Sequence, residues 1–186
     1  MLATLSASET MILLSIARQS IIHQVTTGHH DCEPHTEEAL NIRSGCFVTI
    51  TQNGHLRGCI GNFTTDQPLY LEVADMAAAA ATKDPRFHPM ERHELDDFSI
   101  EISVLSPLQK VDQVEEIQIG THGIYLEKNL QRGVLLPQVA TEQQWDRETF
   151  LQQTCRKAGL PGNAWQSPET DIYIFSATIL KESDQG

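Results

Sequence analysis

Positive charge is scarce in this chain: 13 lysines and arginines stand against 25 aspartates and glutamates, for a net charge of −12. Gripping a phosphate backbone takes clustered cations, and these are scattered, so nucleic acid and anionic membrane are disfavoured as dominant partners. Long apolar runs are missing too. None approaches the roughly 20 residues needed to cross a bilayer, so no membrane span is expected. The opening "MLATLSASETMILLSIARQS" has no basic start, and Glu9 and Arg18 interrupt or bound its apolar part. It is not expected to be a secretory signal, and a cytoplasmic location is expected.

Paired cysteines are lacking as well. Cys32, Cys46, Cys59 and Cys155 are widely spaced with no Cys-x-x-Cys, which excludes a disulfide scaffold and predicts free thiols in a reducing compartment. There is no Gly-rich loop with a P-loop lysine, and Gly58-Cys59-Ile60-Gly61 is too short for a dinucleotide fingerprint. Repeats and low-complexity linkers are absent. With 186 residues, 40% hydrophobic and 20% charged, the chain suits one globular domain or a domain with a small satellite.

What is present reads as helices mixed with hairpins. Ser6-x-x-Glu9 is a capping box before Leu13, Leu14, Ala17, Ile21 and Val25 at helical spacing, which predicts a helix over 8–26. Residues 27–41 are expected to form a surface loop. They hold the one metal-like cluster, His29, His30, Cys32 and His35, which reads either as a solvated loop or as a metal site; no metal is assigned to it. Asn53-Gly54 between two strand-like segments predicts a type I′ hairpin, pairing Gln52 with His55, Ile50 with Arg57 and Val48 with Cys59. Alternation then sets His55, Arg57 and Cys59 on one face, with the Cα atoms of Arg57 and Cys59 about 6 to 7 Å apart.

Downstream, Asp66, Pro68 and Asp84-Pro85 bound a helix whose Ala77 to Ala81 run can lie close to a sheet. Phe98, Ile100, Ile102 and Val104 alternate with polar residues as a half-buried strand. Strands near 123–127 and 132–136 suggest a second hairpin. Asp146 caps a helix that Gly159-Leu160-Pro161 ends, with Cys155 on its core face. A last apolar strand, "DIYIFSATIL", precedes a charged tail over 182–186, expected to be flexible. Together these predict α+β with a largely antiparallel sheet flanked by helices.

"LRGCIG", "ATKDPRF", "IEISVLSP", "HG…GVLLPQVA" and "WDRETFLQQTCRKAGLP", in that order from about Gly45 to Leu180, resemble the AMMECR-type family, also called AmmeMemoRadiSam system protein A. The resemblance implies a single AMMECR-type domain over 1–186, with a larger subdomain and a smaller α/β one. It implies company with a radical S-adenosylmethionine protein and a Memo-like protein, and it brings no established reaction or cofactor. The suspected site of the family falls on Leu56, Arg57, Gly58, Cys59, Ile60 and Gly61. His88 stands where the family has proline, so no role is carried over to it, and the cluster from His29 to His35 lies outside the shared motifs.

As chemistry, a thiol between glycines and near a cation suits a nucleophile. Cys59 is the candidate nucleophile, Arg57 its candidate cation and His122 the candidate base. Gly58 and Gly61 are candidate positions for close approach of a substrate, and Gln138 a candidate orienting group. The same residues also fit a tight structural edge, with Cys59 a small buried side chain, Arg57 paired to Glu101 or another acid, and His122 in a turn or hydrogen-bonded in the core. Two function classes follow: an enzyme or enzyme subunit acting on a small molecule or protein through Cys59, or a non-catalytic module that docks a partner or metabolite.

Overall fold

The structure is a computed structural model that describes residues 5–182; these fall into two compact units, residues 106–177 forming one and the described residues up to 105 and from 178 onward the other. Among the described residues there are four α-helices and two four-stranded antiparallel sheets, an α+β architecture.

The larger unit opens with α1 (Ala7–Thr27). Ser6 accepts the Glu9 backbone N–H, while Glu9 reaches back to the Ser6 backbone, as the capping box predicts. Gly28 ends the helix at φ 79, a conformation that favours glycine. The strands β1 (Cys46–Gln52), β2 (His55–Asn62) and β3 (Ser99–Leu105) join β8 (Ala177–Lys181) in the order β2-β1-β3-β8, with β2 at one edge. The helix α2 (Leu69–Thr82) packs with α1 on the sheet face formed by Val48, Ile50, Ile100 and Ile102; all four are buried, as are Leu13, Ala17, Ile21, Val73 and Ala77 opposite them. The alternation in β3 therefore sends its aliphatic side chains to the core.

The hairpin turn is where the sequence puts it, with Asn53 at φ 50 and Gly54 at φ 75, but the pairing beyond it differs. A β-bulge between Ile50 and Thr51 sets Ile50 opposite Gly58, Thr49 opposite Cys59 and Val48 opposite Ile60. The unbroken ladder would have put Arg57 and Cys59 on the buried face beside Ile50 and Val48. The extra residue in β2 hands that face to Gly58 and Ile60.

The smaller unit contains β4 (Gln109–Lys110), β5 (Gly123–Lys128), β6 (Gln131–Leu135), α3 (Pro137–Glu142), α4 (Arg147–Lys157) and β7 (Asp171–Phe175), with sheet order β4-β7-β5-β6. Asp146 accepts the Thr149 N–H at 2.8 Å and so caps α4. Phe150, Leu151 and Cys155 from α4 are buried with Ile124, Leu126, Ile172 and Ile174; Trp145 and Trp165 pack at the margin of this core. Glu182 accepts from Arg18 Nε at 2.6 Å and from the Ile100 N–H at 3.0 Å. The rest of the charged tail, 183–186, lies outside the described residues. No helix among the described residues is long and apolar enough to cross a membrane.

Candidate functional site

The signature strand β2 is held by three devices, each of which uses one of its residues. Gly58 comes first. A Cβ there would collide with the backbone carbonyl of Ala80, so α2 lies flush on β2 because both partners lack bulk. Gly61 is alike: its missing side chain leaves room for the Cys46 carbonyl and the Phe47 ring, and Phe47 packs edge-on against Phe63 at 4.9 Å. The space that glycine opens at both positions is filled by the protein itself.

Arg57 is the second device. Its Nε and Nη2 donate to the two carboxylate oxygens of Glu94 at 2.7 and 3.0 Å, and Nη2 also donates to the His88 carbonyl at 3.0 Å. Both side chains are only 15% exposed. Bidentate pairing of this kind fixes orientation as well as charge, and the Arg57 guanidinium beside Glu94 holds that carboxyl below the usual carboxylate range. The acid that Arg57 meets is Glu94; Glu101 pairs instead with Lys181 at 2.8 Å.

The third device is Asp84, just past the end of α2. Its side chain is 3% exposed, and its Oδ2 accepts the Cys59 backbone N–H at 2.8 Å. β2 is an edge strand, and a buried N–H without an acceptor is costly; Asp84 supplies that acceptor. The same carboxylate accepts from Arg86: Nε to Oδ1 at 3.0 Å, Nη2 to Oδ2 at 2.7 Å and the backbone N–H to Oδ1 at 3.1 Å. The Arg86 guanidinium, with the Cys59 and Arg86 backbone N–H groups, holds Asp84 well below the usual carboxylate range against the opposing effect of burial. In return, the Asp84 carboxylate raises Arg86.

Cys59 itself is half-buried. It lies in a cross-strand row with Thr49 and Glu101, on the sheet face opposite that of Val48, Ile50 and Ile102. Its Sγ accepts the Thr49 hydroxyl at 3.3 Å. The Arg57 guanidinium is taken up by Glu94 and His88, and the cation tied to Cys59 through a shared carboxylate is Arg86. The Phe87 ring is near both, 5.9 Å from the Arg57 guanidinium and 5.5 Å from that of Arg86.

The remaining thiols differ. Cys46 and Cys155 are fully buried, and burial pushes both thiols up, Cys46 the further. Burial, then the charges of Glu33 and Asp75, also raises Cys32. The histidine-rich loop disperses its candidates. His30 bridges Gln24 and Asp75, both at 2.9 Å, His35 packs edge-on against Tyr70 at 5.4 Å, and the Cys32 thiol donates to the Glu33 carbonyl at 3.6 Å. No group of three or more such side chains converges as metal ligands among the described residues.

The structure thus brings together Arg57, Gly58, Cys59 and Gly61 on one strand. His122 and Gln138 belong to the smaller unit. There, His122 Nδ1 accepts the Gln118 N–H at 3.2 Å within a turn, and the Gln138 carbonyl accepts the Thr141 hydroxyl at 2.8 Å. Sequence reasoning missed Thr49, Asp84, Arg86 and Glu94. A signal was there for two of them: "DPR" follows directly on the helix stop, an acid and an arginine spaced to pair with each other.

A thiol-bearing edge strand closed by a buried acid, in an α+β chain of two units, is the setting in which the comparisons with known proteins fall. The chain belongs to the AMMECR1 family, whose model matches residues 14–180. It is similar to a protein of Methanopyrus kandleri, 39% identical over 189 residues that cover 97% of this chain and 91% of that one. It is also similar to a protein of Methanothermobacter thermautotrophicus, 41% identical over 187 residues and 97% of both chains. A crystal structure of an uncharacterised protein from Pyrococcus horikoshii superposes with a TM-score of 0.81 at 37% identity, over 90% of this chain and 88% of that one.

Proposed function

We propose that this chain is the thiol-bearing component of a covalent modification system, with Cys59 as the reacting group, acting with a radical S-adenosylmethionine protein and a Memo-like protein on a small-molecule or protein substrate. One observation carries the reading. Packing and ion pairing account for Arg57, Gly58 and Gly61 in the signature, while the Cys59 thiol stays half-buried on the face away from the helices with the Thr49 hydroxyl against it. The chemistry is nucleophilic: the thiol proton passes to water, Sγ bonds to an electrophilic atom, and the leaving group departs with its electron pair. The partner half of the proposal rests on the family resemblance and is checked by co-purifying the chain with those two proteins after co-expression.

A second reading has its own support. The space opened by Gly58 and Gly61 is filled by Ala80 and Phe47, which suits a non-catalytic binding module whose signature is structural. Alkylation of the native protein followed by peptide mapping separates the two. Preferential labelling of Cys59, with Cys46 and Cys155 protected until unfolding, supports the thiol chemistry. A Cys59 as slow as those two buried thiols removes it and leaves the binding module.

A further inference from the structure

We infer that Arg86, aligned by Asp84, is the substrate-binding residue of the Cys59 site, and that the site takes an electrophile carrying a carboxylate or phosphate beside its reacting atom. This rests on the assignment of Cys59 as the reacting group and adds the class of its substrate.

The geometry is a tether. Asp84 Oδ2 bonds both the Cys59 N–H, at 2.8 Å, and Arg86 Nη2, at 2.7 Å. The guanidinium is therefore no further from the Cys59 backbone than two hydrogen bonds end to end allow. Asp84 takes the Nε and Nη2 side of the fork, which leaves the Nη1 side facing away from its partner. Five donors in a planar fork exceed what one carboxylate can use, and the unused edge matches a second anion's two oxygens.

Burial of the two partners is unequal in a way that suits this task. Asp84 is 3% exposed and Arg86 55%, so the acid acts as a fixed anchor inside while the arginine side chain remains open to solvent. Phe87, 5.5 Å from the Arg86 guanidinium, packs the fork from one side. Arg57, the other cation at this ring, has its fork closed by Glu94 and its Nη2 shared with the His88 carbonyl. In a chain with a net charge of −12, an anionic substrate needs a local cation of this kind to reach the thiol.

The test compares iodoacetate with iodoacetamide. Each alkylates Cys59 by the same step: the Sγ–C bond forms, the C–I bond breaks, iodide leaves with the electron pair, and the thiol proton goes to water. Both reagents meet the same thiolate, so the ratio of their rates reports the reagent's charge and cancels the thiol's acidity. The ratio is read by peptide mapping at Cys59 in the wild type and in the variants. The expected result is a wild-type ratio roughly fivefold above that of Arg86→Gln, the size of a half-exposed ion pair.

Arg86→Lys is expected to retain part of the preference, and Lys83→Gln, which removes the exposed cation next to Asp84, to leave it in place. An unchanged ratio in Arg86→Gln or an equal loss in Lys83→Gln would overturn the inference while leaving Cys59 as the reacting group. A Cys59 that neither reagent labels overturns the assignment of the thiol itself, a result distinct from the other two.

Discussion

One carboxylate oxygen of Asp84 accepts the backbone N–H of Cys59, 25 positions earlier in the chain. The bond joins the end of α2 to the outer edge of β2 and gives a part-buried N–H its partner where the sheet has no further strand to offer. A neutral acceptor could serve the N–H as well. The charge has its use in Arg86, which Asp84 grips through three N–H groups.

This carboxylate predicts an acid-labile fold. The proton affinity of Asp84 is depressed by folding, so the unfolded chain binds more protons as pH falls, and stability is lost. The contribution is complete above the ordinary aspartate range, near about 4, and drains away below it as pH falls toward the folded value. Glu94, lowered by Arg57, acts in the same direction. Urea unfolding of the wild type between pH 3 and 7 is expected to show the decline. Asp84→Asn is expected to cost about 1–3 kcal/mol at neutral pH, with the gap to the wild type narrowing as pH falls below about 4. A gap that stays constant across that range argues against Asp84 as its source.

Gly58→Ala is expected to be among the most damaging single-methyl changes in the larger unit. The new Cβ meets the Ala80 backbone carbonyl, which cannot rotate away, so α2 must lift from β2. Overpacking of this kind costs about 1–3 kcal/mol. Gly54→Ala is the contrast: nothing lies within 4 Å of its added Cβ, and the strain comes from φ 75 alone, worth about 1–2 kcal/mol. Hydrogen exchange distinguishes them, since Gly58→Ala is expected to expose amides of both β2 and α2 and Gly54→Ala those of the hairpin turn. A Gly58→Ala protein as stable as the wild type contradicts the close approach.

Arg57 and Glu94 are expected to act as one unit. At 15% exposure each, with two parallel bonds, the pair is shielded from salt more than the surface bridges are. A double-mutant cycle with Arg57→Gln and Glu94→Gln is expected to give a coupling of about 1–2 kcal/mol that survives 0.5 M salt. Additive losses mean that the contact contributes nothing as a pair.

Much of the scaffold was legible because its signals are local. Ser6 and Glu9 are three residues apart and cap α1; Asn53-Gly54 makes its turn from the two residues that tolerate it; Asp146 caps α4. The site was legible only in part, because what defines it is long-range. The bulge opposite Ile50 shifts every residue of β2 after Arg57 by one place, and the two-residue period carries no trace of an insertion until the core face of the partner strand is known. Asp84 reads as a helix stop because proline follows it, and the sequence gives no hint that its carboxylate reaches β2. Glu94 is one acid among 25, and its pairing with Arg57 depends on how the 84–98 connection folds back.

Glu72 yields the last prediction. It is 1% exposed on α2, and its carboxylate is met by uncharged donors: Asn62 Nδ2 at 2.7 Å on Oε1, Thr65 Oγ1 at 2.7 Å and Gln67 Nε2 at 2.9 Å on Oε2. Asn62 is the last residue of β2, and Thr65 and Gln67 lie in the turn that leads into α2, so one side chain organises the connection directly after the signature. Both oxygens must accept, and Glu72→Gln replaces one of them with an NH₂ that faces a donor. The loss is expected to be about 1–3 kcal/mol, the cost of leaving a buried donor without its acceptor. Amides over residues 62–67 are expected to exchange faster while those of α4 in the smaller unit stay as they were. If thermal unfolding and loop protection both match the wild type within about 0.5 kcal/mol, the carboxylate is not what holds the turn.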